Sequence, residues 1–202
     1  MSNLRYEFES GYPYHIYNRW FEHQCIFFSD GDFVRFGERL QFLLSEHTDI
    51  RLHAFCFLPN HFHLILSQIE TGTIETGQGF ETGLSPRATK DRSHPIGISK
   101  FMHRLELAYT MYAKTKYRED FPRWPFLEWR FKAKIIRDEE YLSSCMSYVC
   151  YNAIKHELVT DIRDWPWTSY HQIVEWIIEP HLPQVIPIDG VGLVDYVDID
   201  EE

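Results

Sequence analysis

The chain has 202 residues, of which 44% are hydrophobic, with 20 Lys and Arg against 30 Asp and Glu for a net charge of −10. That length suits one domain, or one domain with a tail, and supplies enough apolar material for a core. No apolar run approaches the roughly 18 residues that a membrane-spanning helix needs, so no membrane partner is expected. Four cysteines (Cys25, Cys56, Cys145 and Cys150) without CxxC spacing, and the lack of a signal peptide, read as a reduced, cytoplasmic protein.

Taken whole, a net charge of −10 argues against nucleic acid, but the charge is unevenly placed. From Asp164 onward there are nine acids and no Lys or Arg, which leaves about −1 for residues 1–163. Residues 91–137 carry eleven basic side chains against five acids, a local +6. Such a segment serves a phosphate backbone as well as it serves an ordinary solvated face.

In chain order, Tyr12 to Trp20 is aromatic and β-prone and reads as a first strand. Ser29-Asp30-Gly31-Asp32 offers an N-cap cluster. Phe33, Phe36, Leu40, Leu43 and Leu44 then follow at helical spacing to about His47. Ile50–Phe57 reads as a strand with Leu52, Ala54 and Cys56 on one face. Leu58-Pro59-Asn60 turns it into a returning strand, His61–Ser67, and the hairpin is expected at the centre of a sheet. Gln68 to Pro95 holds the degenerate repeat Glu70-Thr71-Gly72, Glu75-Thr76-Gly77 and Glu81-Thr82-Gly83, the composition of a mobile loop. Helical periodicity resumes over Ile98–Tyr117, Phe126–Ile136 reads as a strand, and Asp138 caps a helix that carries Leu142, Cys145, Val149 and Ile154. Ser169–Ile178 is expected to form a last short helix, and the Pro-rich remainder a weakly structured tail. The order strand, helix, hairpin, helix, strand, helix fits an α+β sandwich with helices on one face of an antiparallel sheet.

Two local patterns carry chemistry. In His61-Phe62-His63 the two imidazoles are two residues apart on a strand and emerge on the same face, a start to a divalent-metal site. With 11 histidines in the chain, such a pair also arises by chance. On the later helix Tyr148 and Asn152 stand at i and i+4 and share a face, together with Cys145 and Lys155. A tyrosine becomes a nucleophile when a metal or a basic group stabilises its phenolate, although most tyrosines on amphipathic helices simply pack.

Taken together, these segments resemble a known family. Pro59 to Leu66 (PNHFHLIL) is similar to the histidine–hydrophobe–histidine motif of HUH single-strand endonucleases. Ser147 to Val159 (SYVCYNAIKHELV) resembles the tyrosine helix of single-tyrosine transposases of the IS200-like kind, in particular the REP-associated tyrosine transposase branch. Tyr14–Trp20, Phe126–Leu142 and Asp164–Tyr170 resemble flanking segments of that branch, in family order, over roughly residues 12–171.

The resemblance implies a ferredoxin-like antiparallel sheet, the HUH endonuclease fold, in a domain over residues 1–171. A mobile loop at 68–95 and a short helix with an acidic tail at 172–202 complete the expected chain. It further implies Tyr148 as nucleophile, and His61, His63 and Asn152 as ligands of Mg²⁺ or Mn²⁺. The implied activity is cleavage and rejoining of single-stranded or hairpin DNA through a 5′-phosphotyrosine linkage. Arg19, Arg104, Lys114, Lys116, Lys132 and Lys134 are the candidate DNA contacts, and Trp124 and Trp129 candidate stacking platforms. Tyr109 and Tyr112 are reserve nucleophiles, though neither has an Asn four residues on. Relatives that exchange tyrosine helices leave a homodimer open.

Two departures stand out: Ala153 replaces the family's usual Pro and Glu157 its usual Gly, which predicts altered helix geometry. The competing readings are a non-catalytic nucleic-acid-binding regulator on the same scaffold and a metal-dependent hydrolase of small phosphates.

Overall fold

A computed structural model describes residues 7–19, 24–69, 96–118, 130–186, 188 and 193. The repeat-bearing segment 70–95, Trp20, Arg123, Trp124, Trp129 and most of the acidic C-terminal stretch lie outside the described residues. The elements in order are β1 (Pro13–Arg19), α1 (Asp30–Glu46), β2 (Ile50–Leu58), β3 (His61–Gln68), α2 (Gly97–Tyr117), β4 (Lys132–Ile135), α3 (Glu139–Cys150), α4 (Asn152–Lys155) and α5 (Tyr170–Val174). The four strands form one antiparallel sheet in the order β2-β3-β1-β4. This is the α+β arrangement that the sequence predicts.

Three expectations need correction. First, helices cover both faces of the sheet rather than one. α1 and α2 pack on the face formed by Ile16, Phe57, Phe62 and Leu64, whereas α3 and α4 pack on the face of Ala54, Cys56, Leu58 and Ile65. β2 is apolar on both sides over Ala54–Leu58, and a two-sided apolar strand must be covered twice. Second, only β3 of the hairpin is central; β2 lies at the sheet edge. That edge is sealed by Thr168, which bridges to Cys56, and by backbone bonds from Phe57 to Trp167, Ser169 to Phe55 and Ile186 to Leu52. Third, Leu52 does not share a face with Ala54 and Cys56. A bulge between Leu52 and Ala54 inserts His53 as an extra residue, so Leu52 joins the α1/α2 core and Ala54 the α3 core.

The N-terminus of α1 is held by one carboxylate. Asp32 is fully buried and accepts from the backbone N–H groups of Phe28 and Ser29, from the hydroxyls of Tyr112 and Tyr117, and from Lys116 at 2.7 Å. It therefore caps α1 and ties α2 to it.

Residues 175–186 carry no regular element, yet they are not a loose tail. Leu182 is buried in the α1/α2 core, the Gln172 amide binds Pro183 and Val185, and His53 bonds the Ile186 carbonyl at 2.9 Å. The segment passes so close to α1 that a Cβ at Gly37 would stand 2.8 Å from the His181 carbonyl oxygen, which explains a glycine inside that helix.

Candidate active site

Strand alternation delivers the site to the α3 face. Directly paired residues of antiparallel strands share a face, and the register pairs Tyr17 with His63 and Arg19 with His61. β1 thus places His15, Tyr17 and Arg19 on the same side as the two β3 histidines. α3 crosses that side, and Tyr148 on its inner surface is 1% exposed.

The side chains converge. The Tyr148 ring meets His63 edge-on at 5.7 Å and His15 at 5.8 Å between centroids. The Lys155 ammonium stands 3.5 Å from the Tyr148 hydroxyl and 4.7 Å from its ring centroid. His61 and His63 lie 5.0 Å apart, and His156 packs edge-on against His61 at 4.7 Å.

Hydrogen bonds set the imidazole tautomers. His61 Nδ1 lies 2.6 Å from the Asn60 side-chain oxygen and donates to it. In the neutral ring Nε2 is then the bare nitrogen, and it faces the Asn152 oxygen at 3.4 Å, one acceptor opposite another. A divalent cation held by the two groups would take both lone pairs. The Asn152 amide nitrogen is buried without a hydrogen-bond partner among the described residues, so the side chain is not held there by a structural network. Those observations fit a divalent cation held by two imidazoles and an amide oxygen. Among the described residues no group of three or more His, Cys, Asp and Glu is arranged for a metal, so the amide would be essential to the set.

Behind the pair, His15 Nε2 lies 2.9 Å from His63 Nδ1, with the rings stacked at 5.1 Å. Burial pushes the His15 imidazole down to about 4, helped by Lys134. Burial likewise holds His63 well below its ordinary range, with His61, His15, His156 and Lys155 adding to the shift. Both rings are therefore neutral at pH 7, the state in which an imidazole ligates a metal. The cysteines offer no rival nucleophile on this face, because burial pushes the Cys56, Cys145 and Cys150 thiols up.

No family model matches the chain. A curated Haemophilus influenzae protein named REP-associated tyrosine transposase is 28% identical over 141 residues, 67% of each chain. By sequence, the chain is similar to a protein of that name. A REP-associated tyrosine transposase solved bound to a REP hairpin superposes with a TM-score of 0.60 over 98% of this chain and 100% of its own, at 16% identity. That second likeness carries the fold.

The candidate DNA contacts divide between the two faces. Lys132 and Lys134 on β4 pair with Tyr17 and His15, so they and Arg19 share the face of the histidines. Their ammonium groups lie 5.5 Å from the Tyr17 ring centroid and 5.3 Å from that of Tyr141. Arg104, Lys114 and Lys116 are on α2, across the sheet. Arg104 bonds His47 at 2.8 Å, and Lys116 is engaged by Asp32. The reserve nucleophiles also lie across the sheet: Tyr109 donates to the Ile26 carbonyl at 2.7 Å and Tyr112 to Asp32 at 3.0 Å.

The helix that carries Tyr148 runs on to Ala153 and Glu157, the two departures. It breaks at Tyr151 between α3 and α4, one residue before Asn152. It then closes with Glu157 N–H to Ile154 O and Leu158 N–H to Ala153 O, a Schellman end, and Glu157 takes φ +56. Glu157 thus adopts the left-handed conformation that a glycine accepts without cost, so the path at this end is kept and Glu carries strain. Sequence reading did not single out His15 or His156. His15 becomes visible only when β1 is registered against β3, and His156 only when the turn after α4 brings it to His61.

Proposed function

We propose that this chain cleaves and rejoins single-stranded DNA, with hairpin DNA as its recognition element, using Tyr148 as the nucleophile. The observation that carries the reading is the convergence of Tyr148, His63, and the facing His61–Asn152 pair on one buried face of the sheet. Tyr148 attacks a phosphodiester in line. The bond from its oxygen to phosphorus forms as the bond to the 3′-oxygen breaks, leaving a 5′-phosphotyrosine and a free 3′-hydroxyl. The ester conserves the energy of the broken bond, so an incoming 3′-hydroxyl reverses the step and joins a new strand.

His61, His63 and Asn152 would hold Mg²⁺ or Mn²⁺, which supplies neutralisation of the charge on the phosphoryl oxygens. Asn60 holds the His61 imidazole in the ligating tautomer, and a bond donated from His63 Nδ1 to His15 Nε2 would do the same for His63. Burial of Tyr148 against the imidazoles of His15 and His63 and the Lys155 ammonium excludes water, which favours attack by the tyrosine over hydrolysis. Lys132, Lys134 and Arg19, on the same face, supply the charge that draws the backbone towards it. A likeness to a transposase solved with a REP hairpin supports hairpin DNA as the partner.

The test uses 3′-labelled oligonucleotides bearing hairpins from the DNA that flanks the gene, incubated with Mn²⁺ and resolved under denaturing conditions. Wild-type protein is expected to give a covalent protein–DNA band, and Tyr148→Phe none. Binding of the hairpin without any adduct would identify a regulator instead; an adduct that persists in Tyr148→Phe would move the nucleophile to another tyrosine.

A further inference from the structure

We propose that Lys155 is a second catalytic residue, the cation that carries the negative charge of the Tyr148 oxygen as it attacks and again as it leaves. The inference rests on the reading of Tyr148 as nucleophile and goes beyond it, because the metal-ligand set explains the phosphate end of the reaction and leaves the tyrosine end unattended. Tyr148 is 1% exposed, so water cannot solvate a phenolate there. Its ring is met edge-on by the buried imidazoles of His15 and His63. A developing oxyanion in so dry a place needs a fixed positive charge.

Lys155 is that charge. Its ammonium is 3.5 Å from the phenolic oxygen and 4.7 Å from the ring centroid, close enough to favour the anion through space and to donate a hydrogen bond as the oxygen turns towards phosphorus. The backbone fixes this placement. Tyr148 and Lys155 are seven residues apart, two turns of helix, which alone would put the two side chains on one stripe about 10 Å apart along the axis. The helix breaks at Tyr151, between the two residues, and the Lys155 stem reaches back until its ammonium stands over the ring.

The balance of the step is simple. In the forward direction the phenol loses its proton, the oxygen–phosphorus bond forms, and the proton is taken up by the departing 3′-oxygen. In the reverse direction a DNA 3′-hydroxyl gives up its proton and the phenol regains one. Lys155 stays an ammonium throughout and is neither the donor nor the acceptor of the transferred proton.

The experiment measures single-turnover adduct formation on the hairpin oligonucleotide, with full-length protein, for wild type, Lys155→Ala and Lys155→Arg, the alanine variant also in the presence of ethylammonium. Lys155→Ala is expected to form adduct about 100-fold more slowly at unchanged oligonucleotide affinity. Lys155→Arg should recover most of that loss, and ethylammonium should accelerate Lys155→Ala in a saturable way while leaving wild type unaffected. A Lys155→Ala rate within threefold of wild type would overturn the assignment while the Tyr148 reading stands. So would a slow variant that neither Arg nor ethylammonium rescues, since a packing defect responds to neither. Absence of adduct from wild type itself would remove the Tyr148 reading, and this inference with it.

Discussion

The two faces of the sheet use polar groups in opposite ways. Across the sheet from the histidines, the buried Asp32 is surrounded by donors: two backbone N–H groups, two tyrosine hydroxyls and an ammonium. Such a group is structural, because every lone pair has a partner and moving any of them costs stability. On the α3 face the buried polar groups are arranged less economically. The Asn152 oxygen faces an imidazole lone pair, its amide nitrogen has no partner among the described residues, and two imidazoles pack edge-on against a buried tyrosine. A protein tolerates such a set where something else completes it. The contrast separates a polar group kept for folding from one kept for chemistry, although both are fully buried.

Three measurements would break or sharpen that contrast. The largest effect belongs to the chemical face. His61→Ala should lower Mn²⁺-dependent adduct formation by about 100-fold or more while hairpin affinity stays within threefold, because the half-buried ring is replaced without opening the core. Cleavage at the wild-type rate would remove His61 from the ligand set.

On the opposite face, Asp32→Asn should cost about 3 kcal/mol of stability at pH 7, read by urea unfolding, and leave the rate of adduct formation per folded molecule unchanged. Its pH dependence has a definite sign. Burial pushes the carboxyl up, but the bonds from Lys116, Tyr117, the Phe28 N–H and Tyr112 outweigh it, and the folded value lies below the ordinary 3.8. The carboxylate therefore contributes fully above that ordinary value, and its contribution fades as pH falls through the folded value. The penalty of Asp32→Asn should shrink in acid; a constant penalty from pH 7 to pH 3 would mean that ionisation of Asp32 plays no part in holding α1 to α2.

The smallest effect lies at the end of the tyrosine helix. Glu157→Gly should raise stability by about 1 kcal/mol in thermal unfolding, by relieving a non-glycine residue at φ +56. Destabilisation would show that the Glu157 side chain has a role the backbone does not reveal.

Much of this was legible in the sequence because it is local. Apolar spacing found α1, α2 and α3, the Ser29–Asp32 cluster marked the start of α1, and Asp138 caps α3 by accepting from Tyr141 N–H. The sharing of a face by His61 and His63 follows from strand pleat alone. What was missed depends on pairing between distant segments. The bulge that moves Leu52 to the other face leaves no trace in a run of apolar residues. His15 looks like one more aromatic-strand residue until its ring is found 2.9 Å from His63. The helix expected over Ser169–Ile178 stops at Val174, and composition made the residues after Ile178 look like tail, but close passage over Gly37 and capture by Gln172 and His53 fasten the segment to the domain.

By itself the sequence determined which residues this protein has for chemistry: a same-face histidine pair, and a tyrosine and an asparagine one helical turn apart. Those spacings follow from the periods of strand and helix, which need no tertiary contact to operate. Only the tertiary structure decided which of its many charged and aromatic side chains join them. A two-sided apolar sheet had to be covered on both faces, and that division put His15 beside the tyrosine and Lys132 and Lys134 on its face of the sheet. The same division left Arg104, Lys114, Lys116, Tyr109 and Tyr112 on the far side of the core.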